Sequence, residues 1–318
     1  MKRIAVLTSG GDSPGMNACL RSVFRTANNM GVELLGVKRG YSGLVENDVF
    51  VMNKSHVGNI LQNGGTFLKT SRSAEFMTDQ GFKKALETIK KNKIEGLIVI
   101  GGDGSMTGAK KLSDEGVSVT CIPGTIDNDL GFTDMTLGFD TACGTVVSMV
   151  NNIRDTSLSH DRVSVIEVMG AFSGDIALYT GLASGADIVI VPEVPYTVEA
   201  VAKRLIDNDR NGKSASIVIV NEKACSAPAL ASSLASYKID ARPLVLGHIQ
   251  RGGSPSYKDR NLGAVWGNMA VTLLVGGAKN IAVGIRNGKY IAVPLDKALK
   301  EKKKFDKETY DLINYLSY

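Results

Sequence analysis

The stretch IAVLTSGGD, residues 4–12, joins an apolar run at Ile4 to Leu7 to a Gly-Gly-Asp turn. A short, continuously apolar run is typical of a strand that is buried on both faces. Apolar residues at helical spacing follow the turn, at Met16, Cys19, Leu20, Val23, Phe24 and Ala27. Such spacing fills one face of a helix. The opening of the chain therefore predicts a strand, a glycine turn and a helix.

Similar apolar runs recur along the chain, and several precede glycine-rich turns. They are Leu97 to Ile100, Val117 to Ile122, Val163 to Val168, Ile188 to Val191, Ile217 to Val220 and Leu244 to Leu246. Their alternation with helical segments predicts an open α/β sheet that is covered by helices on both sides. Ligands of such folds bind at the carboxyl ends of the strands. The turns that follow the predicted strands are therefore the candidate ligand sites.

The bulk composition narrows the functional classes. A chain of 318 residues that is 43% hydrophobic can bury a large core, so disorder is not its main state. A net charge of +5, without a basic stripe interleaved with aromatic residues, argues against a nucleic-acid partner. Four scattered cysteines indicate reduced intracellular thiols. No signal-peptide pattern or long apolar span is present, so the sequence predicts a cytoplasmic protein without a membrane partner.

Two glycines followed by an acid mark a candidate phosphate site at Gly101-Gly102-Asp103-Gly104-Ser105. Backbone N–H groups at the start of a helix bind an anion without help from lysine. A carboxylate beside that anion repels it unless a divalent cation lies between them, which indicates a magnesium nucleotide. The same cluster also fits a glycine turn whose acid caps a helix.

The next predicted strand ends in Pro123-Gly124-Thr125-Ile126-Asp127-Asn128-Asp129. Asp127 and Asp129 lie two residues apart and face one side of an extended chain. A positioned carboxylate can take the proton from an attacking sugar hydroxyl in phosphoryl transfer. A turn in which Asp127 only accepts hydrogen bonds from local N–H groups is the alternative.

A third turn follows Leu244 to Leu246 and carries Gly247-His248-Ile249-Gln250-Arg251-Gly252-Gly253. His248 and Arg251 flank glycines there and suit a second phosphate that does not react. The alternative is that both are ordinary surface residues.

Taken together, these motifs resemble the phosphofructokinase family, and the likeness runs in matching order from Arg3 to roughly Arg286. The segments that carry it are residues 7–12, 64–68, 101–105, 123–129, 167–170 and 247–255. The resemblance implies two Rossmann-like three-layer α/β domains with mostly parallel sheets and an active site in the cleft between them. It implies a nucleotide-binding domain at 1–138 plus 251–305 and a sugar-phosphate-binding domain at 139–250 plus 306–318.

The family's activity implies transfer of phosphate from ATP to the 1-hydroxyl of fructose 6-phosphate. In this reading Asp127 is the base, helped by Thr125 and Asp129, and Asp103 holds Mg²⁺. The nucleotide is expected at Gly11, Arg72, Ser73, Gly102, Asp103, Gly104 and Ser105. The sugar phosphate is expected at Thr125, Ile126, Asp127, Met169, Gly170, Ala171, Glu222, His248, Ile249, Gln250 and Arg251, with Arg162 and Arg242 reaching it from a neighbouring subunit.

The resemblance also implies a homotetramer with shared active sites and an effector site. Arg21 and Arg25 lie four residues apart, on one helical stripe. Family members use that stripe to bind a nucleoside diphosphate or phosphoenolpyruvate, and plain solvated arginines are the rival reading. The positions implied are Arg21, Ser22, Val23, Phe24, Arg25, Lys54, Arg154, Gly185, Ala186, Asp187, Lys213, Ser214 and Ala215.

The resemblance also implies which phosphoryl donor the protein uses, through two glycines. Relatives that use pyrophosphate carry an aspartate at the position of Gly104 and a lysine at that of Gly124. Both positions are glycine in this chain, which predicts ATP as the donor.

Two departures affect the expected chemistry. Ala171 stands where relatives usually have an arginine, and Lys69 stands where they commonly have a glycine. We hypothesise that Lys69 replaces some of the lost positive charge. A different ketose phosphate acceptor, such as a tagatose or sedoheptulose phosphate, and a catalytically weak regulatory paralogue are the alternatives that Ala171 leaves open.

Overall fold

The computed structural model describes residues 1–317 and divides them into two compact units. Unit 1 consists of Met1–Ile126, Leu130–Thr141 and Arg251–Lys303, and unit 2 consists of Asp127–Asp129, Ala142–Gln250 and the segment from Lys304. These bounds differ from the predicted ones, which placed residues 127–129 and 304–305 in the first domain and residues 139–141 in the second. The nucleotide and sugar-phosphate roles of the two units remain predictions.

The strands follow one another along the chain as β1 to β11. Their bounds are β1 Arg3–Thr8, β2 Glu33–Val37, β3 Val49–Val51, β4 Gly96–Gly101, β5 Ser118–Pro123, β6 Val163–Val168, β7 Ile188–Ile190, β8 Ser216–Asn221, β9 Ala241–Val245, β10 Ile281–Arg286 and β11 Lys289–Pro294.

The α-helices are numbered in the same way. Their bounds are α1 Met16–Asn29, α2 Tyr41–Glu46, α3 Asp79–Lys91, α4 Asp103–Asp114, α5 Phe139–His160, α6 Asp175–Ser184, α7 Val198–Arg210, α8 Ala227–Ala235, α9 Tyr257–Val275, α10 Leu295–Lys300 and α11 Lys307–Leu316. Short 3₁₀ helices lie at Lys54–Val57, Glu75–Met77 and Gly247–Arg251.

Unit 1 is a three-layer structure around a seven-stranded sheet of order β11-β10-β5-β4-β1-β2-β3. Neighbouring strands are parallel except at the two edges, where β3 and β11 run antiparallel to β2 and β10. Ile4 and Val6 of β1 pack with α1 and α9 on one face, while Ala5 and Leu7 pack with α3 and α4 on the other. Successive strand residues point to opposite faces, so a strand buried on both sides must be apolar throughout.

Unit 2 contains a parallel four-stranded sheet of order β7-β8-β6-β9. Val163, Val165, Val218 and Val220 pack against α7 and α8 on one face. On the other face α6 contacts β7 and β8, and α11 packs against α6. β9 is one of the two edge strands, and its residues are exposed or half-buried.

The predicted α/β class is confirmed, and every predicted run except Leu244 to Leu246 coincides with a strand to within one residue at either end. That run covers only the end of β9, which begins at Ala241, ends at Val245 and excludes Leu246. Four strands were missed. Two of them, β3 and β11, are antiparallel edge strands whose residues are exposed or half-buried, so they lack a continuous apolar run.

All four cysteines are free thiols, and burial raises the pKa of both Cys19 and Cys121. Within residues 1–317, every helix is too short or too polar to cross a bilayer.

Candidate active site

In unit 1 the turns after β1 and β4 pack against each other. The backbone N–H of Ser9 donates to the carbonyl of Ile100 at 3.0 Å. A Cβ added to Gly101 would lie 2.5 Å from the hydroxyl oxygen of Ser105, and one on Gly10 would lie 3.3 Å from the same atom. Glycine is therefore required where these two predicted nucleotide turns approach each other.

The start of α4 matches the predicted anion site. Gly102 is its N-cap residue, and no side chain of the described residues caps this end. Asp103 is exposed in the first turn, and Gly102 faces Thr125, because a Cβ added to Gly102 would lie 3.5 Å from the Thr125 Cβ. The turns after β4 and β5 thus place an uncapped helix end, a carboxylate and a hydroxyl side by side.

Gly104 and Gly124, the two glycines that predict ATP as the phosphoryl donor, differ in their surroundings. A Cβ on Gly104 would meet nothing within 4 Å, so the space beside it is open. A Cβ on Gly124 would lie 2.9 Å from Ile100 and 3.2 Å from Met16. Core packing alone therefore explains Gly124, and the prediction of ATP as donor rests on Gly104.

The segment that carries Arg72 and Ser73 is held beside the first glycine turn. The Thr70 hydroxyl donates to the carbonyl of Gly10 at 2.8 Å. Arg72 is exposed, while the Ser73 hydroxyl accepts a hydrogen bond from the N–H of Phe76 at 3.2 Å. Arg72 can therefore contact a ligand through its exposed guanidinium, and Ser73 can still do so by donating its hydroxyl hydrogen.

Arg251, predicted to bind the sugar phosphate, lies over the predicted nucleotide turn. Its Nη1 donates to the carbonyl of Asp12 at 3.2 Å. A Cβ on Gly11 would overlap with that nitrogen. Gly11 therefore makes room for the Arg251 guanidinium, whatever it contributes to nucleotide binding.

Asn17 holds the Gly64–Leu68 motif in place and was not identified from the sequence. This buried side chain donates to the carbonyl of Gly64 at 3.0 Å and accepts from the N–H of Phe67 at 2.9 Å. An open cavity of about 470 Å³ lies next to this loop, with Asp12 and Lys69 in its lining.

The segment Asp127–Asp129 belongs to unit 2. Asp127 and Asp129 are half-buried, and the intervening Asn128 is buried. The Asn128 amide donates to Asp175 Oδ2 at 2.8 Å. The preceding residue, Ile126, has a fully buried side chain, so only its backbone remains a candidate for sugar contact.

The predicted sugar loop follows β6 and is clamped by side chains. Met169 N–H donates to Gln250 Oε1 at 3.2 Å, and Ala171 N–H donates to Glu222 Oε1 at 3.3 Å. Gly170 and Ala171 have φ angles of 132° and 50°, in the region that favours glycine. The carboxyl ends of β6, β8 and β9 therefore bring together Met169, Ala171, Glu222 and the turn that contains Gln250.

Residues of that turn differ in what they can contact. His248 and Ile249 are exposed, and His248 is free to face a ligand. Gln250 is fully buried, and its amide donates to the carbonyl of Gly247 at 2.9 Å while its oxygen accepts from Met169. Gln250 therefore supports the loop, and a direct sugar contact from its side chain is not what the structure favours.

Arg162 and Arg242 lie away from these residues within unit 2. Arg162 directly precedes β6 and Arg242 is near the start of β9, so both are at the amino ends of the strands. The structure does not bring them to His248 of the same chain. Their predicted action on a neighbouring subunit's substrate remains a prediction.

Predicted effector positions of unit 2 form a connected group. The Arg154 guanidinium donates to the carbonyls of Ser184 and Gly185. Asp187 is fully buried, pairs with Lys213, and accepts from the N–H of Ile217 at 2.9 Å. Ala186 and Ala215 are buried, whereas Ser214 donates to Asp161.

Predicted effector positions of unit 1 divide by helix face. Arg25 is exposed and Arg21 is half-buried on α1, which the Lys54–Val57 helix contacts. Val23 and Phe24 are buried in the core with 0% and 4% exposure, so their side chains cannot contact an effector. Ser22 is half-buried and donates to the carbonyl of Ala264 at 2.5 Å.

Residues 1–317 contain no cluster of three or more His, Cys, Asp or Glu side chains that could hold a metal by themselves. Asp103 nevertheless fits a magnesium ion, because Mg²⁺ in nucleotide sites binds one or two carboxylates together with phosphate oxygens and water. Its exposed carboxylate in the first turn of α4 is a ligand of this kind.

Known proteins are similar to this chain over its whole length. A model of the family described as Phosphofructokinase matches residues 3–274. The chain is 51% identical over 318 residues, 100% of both chains, to the ATP-dependent 6-phosphofructokinase of Clostridioides difficile (strain 630). It is 48% identical over 319 residues to that of Paenibacillus macquariensis, covering 100% of this chain and 99% of the relative.

Solved structures show the same fold. The phosphofructokinase of Saccharomyces cerevisiae has a TM-score of 0.91 and 32% identity over 98% of this chain, which spans 50% of the yeast chain. A pyrophosphate-dependent phosphofructokinase from Marinobacter aquaeolei has a TM-score of 0.87 at 21% identity, with 99% of this chain and 91% of that chain covered. Because the family model and the full-length relatives cover nearly all of its sequence, the chain belongs to the phosphofructokinase family.

Proposed function

We propose that this protein transfers the γ-phosphoryl group of ATP to the 1-hydroxyl of D-fructose 6-phosphate, giving fructose 1,6-bisphosphate and ADP. The observation that carries the proposal is the 51% identity over the whole chain to a relative named ATP-dependent 6-phosphofructokinase. The open space beside Gly104 supports a nucleotide donor.

The nucleotide residues are proposed to act from unit 1. The uncapped start of α4 offers N–H groups to the phosphates, and Arg72 adds positive charge. Asp103 would hold Mg²⁺, which screens the phosphate charge when it is bound. The hydrogen bond from Ser9 N–H to the carbonyl of Ile100 keeps the two glycine turns in contact.

Asp127 is proposed to accept the proton of the sugar 1-hydroxyl. The freed oxygen forms a bond to the γ-phosphorus, the bond from that phosphorus to the β-γ bridging oxygen breaks, and ADP leaves with the bond's electron pair. Asp129 and Thr125 are proposed to orient the reacting groups.

The sugar is proposed to bind at Met169, Gly170 and Glu222, with His248 and Arg251 on its 6-phosphate. Arg–phosphate and His–phosphate hydrogen bonds are charge-assisted, which suits this assignment. Arg162 and Arg242 are proposed to reach the 6-phosphate bound to a neighbouring subunit of a homotetramer.

A regulatory site is proposed at Arg21, Arg25, Lys54, Arg154, Asp187 and Lys213, for a nucleoside diphosphate or phosphoenolpyruvate. The connected group around Asp187 supports this proposal. We also propose a cytoplasmic location, which the four free thiols support.

A coupled assay of fructose 1,6-bisphosphate formation with the purified protein tests the function, because both donors would give this product. ATP with fructose 6-phosphate should give rapid product formation, and pyrophosphate as donor should give none. Asp127→Ser should lower kcat by roughly 10²–10⁴-fold, the usual contribution of a general base. Binding of fructose 6-phosphate, measured by calorimetry, should change little.

Three results would contradict the proposal. A wild-type protein without transfer activity rejects the function, and preference for pyrophosphate rejects the donor. An unchanged rate for Asp127→Ser rejects the base. Competition at limiting enzyme against tagatose 6-phosphate and sedoheptulose 7-phosphate identifies the preferred acceptor.

A further inference from the structure

The acid-rich segment Asp127–Asp129 is anchored by a residue that the proposed mechanism does not use. Its chain neighbours Ile126 and Leu130 belong to unit 1, yet the segment itself belongs to unit 2. One contact between the segment and that unit is the 2.8 Å hydrogen bond from Asn128 Nδ2 to Asp175 Oδ2. Both side chains are buried, with 2% and 3% exposure.

Asn128 has an unusual backbone conformation. Its φ of 51° lies in the left-handed region, which L-residues other than asparagine and aspartate rarely adopt. The directions of the two flanking carboxylates depend on this backbone angle, because a rotation at Asn128 turns Asp127 and Asp129 relative to each other. A side-chain anchor at Asn128 therefore controls how both acids point.

We propose that Asp175 is a positioning residue for the phosphoryl transfer, which acts through Asn128 to fix Asp127 and Asp129. This inference rests on the proposed function, since it gives Asp127 the role of base. Asp175 itself does not touch the reacting atoms in this scheme. Its contribution is to hold the segment in the left-handed conformation at Asn128.

Asp175 also lies next to the predicted sugar loop. Asp175 is the first residue of α6 and directly follows the loop that carries Gly170 and Ala171. Two further contacts make this loop rigid: Asn221 Nδ2 donates to the carbonyl of Ser173 at 3.0 Å, and Gly174 N–H donates to Glu193 Oε1 at 2.9 Å. The base segment and the predicted sugar loop therefore share one fixed support.

The test compares variants in steady-state kinetics with ATP and fructose 6-phosphate. Asn128→Gly keeps the left-handed backbone accessible but removes the anchor, and Asp175→Ala removes the acceptor. Each should lower kcat about 10- to 100-fold, as expected for a reacting group displaced by an ångström or so. The KM for fructose 6-phosphate should stay within about twofold, because bound sugar is contacted by other residues.

Two comparisons separate positioning from a merely structural role. The double variant should be no slower than the slower single variant, since both changes break one link. Asp175→Asn keeps an acceptor oxygen for the Asn128 amide and should recover most of kcat. As a control, Asn287→Gly makes the same exchange at another left-handed residue, φ 50°, in the β10–β11 turn, and should leave kcat unchanged.

The outcomes are distinct. A wild-type protein that transfers no phosphate rejects the proposed function itself. An active wild type with an unchanged kcat for Asn128→Gly rejects the positioning role, and so do losses that multiply in the double variant. If Asp175→Ala fails to fold, Asn128→Gly and Asp175→Asn still decide the question.

Discussion

Arg162 and Asp240 form an ion pair at the amino edge of the unit 2 sheet, with Arg162 Nε 2.9 Å from Asp240 Oδ2. The other oxygen of the same carboxylate lies 3.1 Å from Arg242 Nε. One aspartate thus orients both arginines that are proposed to bind a neighbouring subunit's sugar phosphate. All three side chains are partly exposed, so these pairs contribute little to stability. Their effect is on the orientation of the two guanidinium groups.

Asp240→Ala should therefore raise the KM for fructose 6-phosphate with kcat within about twofold. Without Asp240 the two arginines are no longer held in the orientation that suits a bound phosphate. A loss of about 1 kcal/mol of binding free energy corresponds to roughly a fivefold higher KM. Initial rates over a range of sugar phosphate concentrations measure this. Asp209→Ala removes an equal charge from α7 and serves as the control. A KM that falls instead would mean that Asp240 competes with the phosphate.

Lys69 has a φ of 59°, so this lysine occupies a backbone conformation that favours glycine. Lys69→Gly relieves a left-handed penalty of roughly 1–2 kcal/mol but adds about 0.5–1 kcal/mol of unfolded-chain entropy. Folding stability should thus rise by roughly 0–1.5 kcal/mol. If Lys69 supplies charge to the reaction, kcat should fall roughly tenfold, in the range of a lost electrostatic contact.

Lys93→Gly is the matched control for Lys69→Gly, because Lys93 is also exposed and has a φ of 53°. It should show the same small change in melting temperature without a change in kcat. An unchanged rate for Lys69→Gly would remove the hypothesis that this lysine compensates for Ala171.

Ala171→Arg should raise kcat, since it restores positive charge where the family usually has it. The substitution should add no backbone strain, because Ala171 already has a φ of 50° and the free-energy cost of this left-handed conformation applies to alanine and arginine alike. We expect a gain of about tenfold in the native chain and a larger one in Lys69→Gly. Single and double variants assayed together measure the coupling. Equal rates with and without the arginine would show that charge at this position does not limit turnover.

The sequence could predict those parts of the fold and site that follow from local rules. The carboxyl ends of parallel strands lie at the same edge of a sheet. Gly102 and Thr125, which follow β4 and β5, were therefore expected to lie close together, and they do. The contact of Met169 with Gln250 has the same origin. Strand runs buried on both faces were identified because burial demands apolar residues throughout.

Other features have no local signal in the sequence. Asn128 and Asp175 are 47 positions apart, and Arg251 and Asp12 are 239 apart, so only the folded chain pairs them. The predicted sites contained buried residues such as Val23, Phe24 and Ile126, because the site segments of the family were transferred to this chain as continuous stretches of sequence. Along a helix or turn, neighbouring side chains point in different directions, and some must enter the core.

Gly11→Ala should raise the KM for fructose 6-phosphate, in addition to any effect on ATP binding. Its Cβ would overlap with Arg251 Nη1, and the flexible guanidinium is the part that can move away. A displaced Arg251 would weaken its proposed charge-assisted bond to the 6-phosphate, which corresponds to roughly a tenfold higher KM. In an Arg251→Ala background Gly11→Ala should add little to this KM. An increase confined to the KM for ATP would show that Arg251 is not affected.

Asp306 should make the fold sensitive to acid. It caps α11, where it accepts from Thr309 N–H at 3.0 Å and Thr309 Oγ1 at 2.7 Å, and Tyr179 OH donates to it at 3.0 Å. Burial alone would raise the pKa of Asp306, but these hydrogen bonds together hold its pKa below the ordinary value of 3.8. A carboxyl with a lowered pKa in the folded state stabilises the protein fully above pH 3.8. That stabilisation is lost as the pH falls through the folded-state pKa.

Urea unfolding between about pH 5 and about pH 2.5 checks this assignment. Asp306→Asn keeps an oxygen for the helix cap but cannot titrate, so its stability should fall less steeply below pH 3.8 than that of the wild type. The difference in unfolding free energy between the two proteins should therefore narrow toward low pH. Tyr179→Phe removes one of the hydrogen-bond donors to Asp306, so the stability of this variant should fall less steeply with pH than that of the wild type. Equal slopes for wild type and Asp306→Asn would show that this cap does not contribute to acid sensitivity.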